Sequence, residues 1–251
     1  MGPAYADLVL TLPSTTDSGE ATMMTTDTLA QISAIGRYFT VYSGPRPDAT
    51  EFAPLADLYG KRAALEASVT AVGRRIGTDQ QRVAASTLHI GTAARLWSVA
   101  LAGTVLTGEV PDLAPERLWM RVATSGPVDL WLPQATAVSR GGDLPDALYE
   151  NVVVRHLLPL DEAIRRHFGL SPKVLSGNVT SALMGAVRTL NRRVPDAPHP
   201  PLPLVTALLE REPLASAGTL TVHPLAYRRH NCCLYYRVPG VGYCEECVLN
   251  G

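Results

Sequence analysis

Hydrophobic positions recur at helical spacing along most of this chain. Between residues 54 and 77, Leu58, Leu65, Val69, Val72 and Ile76 fall on one face of a helix. From 80 to 106 the positions Val83, Thr87, Ile90, Ala94, Trp97 and Leu101 keep that spacing, but the stretch is apolar almost all round, which predicts a central, buried helix. Residues 146–158 and 160–169 read as helical, broken or kinked at Pro159 and stopped at Gly169. Ser171-Pro172 supplies the cap and first-turn proline of another helix, whose stripe is Leu175, Val179, Ala182, Ala186 and Leu190, with Leu183 and Val187 beside it. A short helix is expected near 205–211.

Strand signals are fewer. "RYFTVYSG" (37–44) has β-branched and aromatic content and ends at a Gly-Pro turn. "RLWMRVA" (117–123) and "VDLWLP" (128–133) are joined by four residues like a hairpin, and "TLTVHPL" (219–225) reads as a further strand. The first 28 residues, rich in Thr, Ser and Asp, read as an irregular, partly mobile lead-in. "PDAPHPPLP" (195–203) is the clearest linker. The expected class is α+β, mostly helical with one small antiparallel sheet. Residues 1–220 would form the body and 221–251 a cysteine-rich segment packed on it.

At 46% apolar residues, a chain of 251 can bury a full core. A net charge of −1 argues against a general nucleic-acid binder. Residues 1–12 lack a cationic leader, and the uncharged run "LWSVALAGTVLTG" (96–108) is well short of a membrane span. The expectation is a soluble, cytoplasmic protein with no membrane span. Charge is uneven: the first 60 residues carry seven acids and two arginines, whereas 155–193 carries seven bases against Asp161 and Glu162. Such polarity can mark where an anionic ligand docks.

All four cysteines, Cys232, Cys233, Cys244 and Cys247, lie within "NCCLYYRVPGVGYCEEC". A disulfide between adjacent cysteines is disfavoured, because their α-carbons sit only about 3.8 Å apart. Cys244 and Cys247 have a standard two-ligand spacing, so a structural zinc site with four cysteine ligands is open. A two-iron cluster is equally open, since four thiolates shared by two metals need not converge on one point. The spacing alone leaves both standing.

The pattern Cys-Cys-x10-Cys-x2-Cys resembles that of the FhuF-type ferric-siderophore reductases. "LHIGTAARLWSVAL", "HLLPLDEAIRRHFGLSPKVLSGNVTSAL" and "YRRHNCCLYYRVPGVGYCEECVL" resemble segments of the same family, covering roughly two-thirds of the chain from Leu88 onward. The resemblance implies a [2Fe–2S] cluster held by Cys232, Cys233, Cys244 and Cys247. It also implies one-electron reduction of siderophore-bound Fe(III). Two residues, His230 and Asn231, separate Arg228-Arg229 from the cysteine pair, where one is common in the family.

The surroundings add expectations. The turn Pro239-Gly240-Val241-Gly242 would aim backbone N–H groups at sulfur. Tyr235, Tyr236 and Tyr243 would wall the cluster from water, and Glu245 and Glu246 would lower its potential. Gly177 sits inside a predicted helix, where glycine is costly unless a neighbouring helix or a bound chelate approaches closely. Arg228 and Arg229, with the basic helices, would border a cleft that attracts an anionic chelate. No G-x-G-x-x-G, Walker or G-x-S-x-G motif is present, so electrons would come from a separate donor protein or reductant. The other classes the residues allow are a non-enzymatic binding protein with a structural zinc and a [2Fe–2S] redox or iron sensor.

Overall fold

A helix that is apolar on every side must be covered on every side, and that requirement sets the architecture. The computed structural model describes residues 22–140 and 143–250. Its axis is α4 (Gln81–Thr107), in which every residue from Leu96 to Val105 is buried. By length and composition alone α4 could cross a bilayer, which the shorter run read from the sequence did not suggest. Here its surface is taken up by the protein's own core. It packs against α1 (Thr26–Ile35), α3 (Arg62–Ile76), α6 (Leu158–Phe168) and α7 (Pro172–Arg193).

The α+β class, mostly helical, is observed, but the sheet content is split three ways. β1 (Thr22–Met23), β7 (Thr136–Arg140) and β4 (Glu109–Pro111) form one antiparallel sheet. A second has the order β2 (Tyr42–Ser43), β6 (Asp129–Leu132), β5 (Trp119–Arg121), β3 (Ala53–Pro54). In it β5 and β6 form the expected hairpin, pairing Trp119 with Trp131, while β2 joins in parallel. The third is the hairpin of β8 (Gly218–Thr221) and β9 (Ala226–Arg229), so the boundary drawn between residues 220 and 221 falls inside β8.

Several elements depart from their expected bounds for identifiable reasons. The threonine-rich lead-in contains a helix start, because the Thr25 hydroxyl accepts the Thr28 N–H at 3.1 Å and caps α1. The remainder of that lead-in, residues 1–21, lies outside the described residues. The helix expected over 54–77 divides after Gly60, with an extended Lys61 between α2 (Asp57–Gly60) and α3. The linker shortens to 194–200, since Pro201 and Pro203 sit in the first turn of α8 (Pro201–Leu209). Ser171 caps α7 as expected, its hydroxyl accepting the Val174 N–H.

No break occurs at Pro159. After α5 (Leu144–Leu148) the helix widens into a π-helical run, Tyr149–Leu157, that leads directly into α6. The widening places Pro159 in the first turn of α6, where its missing N–H is tolerated. This run buries His156. Its Nε2–H donates to the Leu113 carbonyl at 2.5 Å, and Nδ1 accepts from the Tyr59 hydroxyl at 3.0 Å. Burial pulls the His156 pKa down to about 4 from the ordinary 6.5.

That depression has a defined sign. Between pH 6.5 and 4 the unfolded chain binds a proton that folded His156 refuses, so the contribution is whole above about 6.5 and is lost as pH falls. From pH 7.5 to 4.5 it amounts to about 2–3 kcal/mol. A His156→Gln variant is expected to be less stable at pH 7.5 but to show a correspondingly shallower acid loss. Urea midpoints at both pH values read this; parallel slopes for the two proteins would contradict it.

Candidate metal centre and the adjoining cleft

The cysteine segment begins where β9 ends. Leu234 takes a left-handed conformation, φ 68°, and a single 3-10 turn, Tyr235–Arg237, follows. This reversal brings the Leu234 N–H to Cys232 Sγ at 3.3 Å. The same two-residue geometry recurs further on, where the Leu249 N–H reaches Cys247 Sγ at 3.4 Å. The turn expected to supply such donors closes on itself instead, through Val241 N–H and the Val238 carbonyl. Cys233 Sγ and Cys244 Sγ stand 3.7 Å apart, and all four thiols are free. Among the described residues, no three Cys, His, Asp or Glu side chains are gathered as a single-ion site would have them.

Electrostatics separates Cys232, Cys233 and Cys244. The shared hydrogen bond with Cys244, helped by the Tyr235 N–H and the nearby charge of Arg229, lowers the Cys233 pKa to about 6, and the same bond drives Cys244 upward. Burial raises Cys232. The shared hydrogen bond thus moves the two thiols of the pair in opposite directions.

The segment is clamped to the body by a buried polar network. Ser86 of α4 donates to the Cys233 carbonyl at 2.7 Å, and Asn178 of α7 donates to the Ser86 hydroxyl at 2.9 Å. The Asn178 carbonyl oxygen accepts from Arg229 Nη2 at 2.8 Å, and Arg229 Nε donates to the Asn231 carbonyl at 2.9 Å. Arg229 is only 1% exposed, and its Nη1 has no hydrogen-bond partner among the described residues. Ser86 and Asn178 escaped the reading of the sequence. The available signal was a serine and an asparagine on helix faces that are otherwise apolar.

The expected substrate contacts are placed differently. Gly177 is open because Arg229 needs the room: a Cβ there would stand 2.8 Å from Nη2. The approaching group is thus a side chain of the protein itself. Arg228 is exposed and donates to the Asn250 carbonyl at 3.0 Å. His230 is held by Thr219 and the Ser216 carbonyl. Tyr236 and Tyr243 meet with their ring centres 6.1 Å apart and their planes tilted by 49°, and both are exposed rather than walling the thiols. Glu246 is buried and paired with Arg188 at 2.5 Å, and Glu245 lies 3.7 Å from the same guanidinium.

Cys233 and Cys244 form part of the wall of a cleft of about 1070 Å³ that runs along α4 and α7. Gly91 of α4 and Gly185 of α7 also line it, and no atom lies within 4 Å of where either Cβ would stand. A smaller concavity of about 670 Å³ lies at the turn joining α3 to α4 and contains no cysteine.

Glycines 177 and 185, both inside α7, should respond oppositely to alanine. Gly185→Ala gains helix propensity at no steric cost and should stabilise by about 0.5–1 kcal/mol. Gly177→Ala presses on a guanidinium held by its own hydrogen bonds and should destabilise by about 1–3 kcal/mol, with faster proteolysis after Arg229. Urea denaturation of the two variants decides this, and a gain in both would remove the packing role assigned to Gly177.

No curated protein matches the sequence. Residues 229–249, a span that opens on the buried Arg229 and holds all four cysteines, match the family model described as FhuF 2Fe-2S C-terminal domain. The cysteine segment of this chain is thus similar to the FhuF-type C-terminal domain, and the cofactor to which that match points is a [2Fe–2S] cluster.

Proposed function

We propose that the protein is a cytoplasmic iron–sulfur ferric-siderophore reductase. The observation that carries the reading is the position of Cys233 and Cys244, in the wall of a cleft large enough for a chelate of siderophore size. The residues present suit the cluster. Cys232, Cys233, Cys244 and Cys247 offer four thiols, backbone N–H groups already meet two of the sulfurs, and the orphaned Arg229 Nη1 sits in a region whose charge couples to three of them. Hydrogen bonds and a buried cation of this kind favour the more negative, reduced state.

When bound, the cluster supplies electrons one at a time. The protein's part is to hold the ferric chelate against the wall containing Cys233 and Cys244, and to keep water from the buried sulfurs. One electron from a separate donor protein or reductant converts chelated Fe(III) to Fe(II). The lower charge of Fe(II) weakens its hold on hard oxygen ligands, so iron leaves and the chelator survives. In this reading residues 1–220 are the substrate-binding body and 221–251 carry the cluster.

Anaerobic purification should give a coloured protein with about two iron and two sulfide per chain, the stoichiometry of one binuclear cluster. Serine at any one of the four cysteines should lower iron content while the helical circular dichroism stays unchanged. The chemically reduced protein, mixed with a ferric siderophore and a colorimetric Fe(II) trap, should release close to one Fe(II) per cluster. A colourless zinc protein would overturn the cofactor assignment for the intact chain. A reduced cluster inert toward every ferric chelate tested would point to a sensor instead.

A further inference from the structure

Six arginines line the cleft, Arg37, Arg75, Arg188, Arg192, Arg193 and Arg229, against two carboxylates, Glu245 and Glu246. Four positive charges in excess thus face one concavity of a chain whose net charge is −1. Their commitments differ. Arg229 is buried in its network, Arg188 is paired with both glutamates, and Arg75 donates to the carbonyls of Ala123 and Gly126. The guanidinium groups of Arg37, Arg192 and Arg193 are exposed and have no hydrogen bond or ion pair among the described residues.

Arg192 and Arg193 close the last turn of α7, where positive charge also suits the helix dipole. Arg37 has no such explanation, and its placement is built. The buried Arg95 of α4 donates to the carbonyls of Arg37, Tyr38, Thr40 and Val128, which pins the 37–40 loop and the β5–β6 hairpin to each other. Gly126, at φ 79° in that hairpin's turn, lies directly against the Arg37 guanidinium, and any side chain there would overlap it. The same cleft is lined by Gly91 and Gly185, two helix glycines that no protein atom requires.

We propose that the cleft takes a ferric chelate of net negative charge, such as a tricatecholate, with Arg37, Arg192 and Arg193 setting the charge preference and Gly91 and Gly185 forming its floor. The inference rests on the reductase reading for the metal, but the charge preference is separate from it. Three catecholates leave the ferric complex trianionic, whereas three hydroxamates leave it neutral. The cleft's excess of arginine favours the first.

Gallium(III) matches iron(III) in charge and size but is not reduced, so gallium chelates report binding without turnover. Calorimetry on anaerobically prepared holoprotein should show the gallium tricatecholate binding at least about tenfold more tightly than a gallium trihydroxamate at low salt. Replacing Arg37, Arg192 and Arg193 together by Gln should weaken the trianion about tenfold and the neutral chelate less than about twofold. The gap should narrow as salt screens the charges. Gly185→Phe should abolish binding of both. Equal affinity for the two chelates, equal losses in the triple variant, or unchanged binding in Gly185→Phe overturns the inference, while reduction of ferric chelates by the wild type would still stand. Preferential binding of the trianion by a protein that reduces no ferric chelate would instead keep the site and remove the reductase reading.

Discussion

The guanidinium of Arg229 is removed from water, and the structure around the cysteine segment follows from where its hydrogens go. A buried charge costs several kcal/mol unless it is bonded and compensated. The groups that accept from it are neutral: the Asn178 amide and the carbonyls of Asn231 and Val174. They satisfy geometry without balancing charge. Its charge also reaches the sulfurs: at Cys232, Cys233 and Cys244 it works against the desolvation that raises each thiol. Body and tail are therefore each incomplete alone. α7 must leave a gap at Gly177 for the side chain, Asn178 must turn its oxygen toward it, and the Arg229 N–H must find the Glu246 carbonyl on the far limb of the cysteine loop. One residue thereby gathers both limbs of the loop against two helices.

The same logic explains how polar groups come to lie inside α4. Among the polar side chains buried on α4, Ser86 and Arg95 are committed to backbone carbonyls of distant segments, Ser86 to Cys233 and Arg95 to the 37–40 loop and Val128. A helix buried on all sides has little solvent-facing stripe to spare, so a polar side chain on it that finds a partner in another segment becomes a fixed attachment point. α4 thus holds two opposite walls of the cleft, the cysteine loop on one side and the arginine-bearing loop on the other.

Much of this is legible in the sequence, and the limits are physical. The all-round apolarity of α4, the Ser171 cap and the β5–β6 hairpin are local signals, and local signals survive folding. The cysteine spacing is likewise local. Arg37 and Arg75 are invisible as cleft residues, because they reach the cleft through tertiary placement from a loop and the end of α3. Thr25 misleads because a threonine-rich stretch is compatible with both disorder and a helix cap, and only the buried Ile32 and Ile35 downstream decide between them. Pro159 reads as a break because the wider π ladder that accommodates it has no signature in side-chain period. Gly177 is recognisable as making room, but a sequence does not say for whom.

Both attachment points of the cysteine loop and both floor glycines stand on the same two rods. On α4, Ser86 and Gly91 are five positions apart, about 7.5 Å of rise, and on α7, Asn178 and Gly185 are seven apart, about 10.5 Å. In the proposed reductase, the span from the cysteine loop to the chelate is consequently ruled by helical pitch rather than by the reach of a loop. Tunnelling falls off steeply with separation, so such a ruler keeps the rate insensitive to breathing of the surface turns. It also makes register the quantity that evolution cannot vary freely. A single residue inserted between Ser86 and Gly91 would swing the floor round the axis by about 100° and leave the electron without a facing partner.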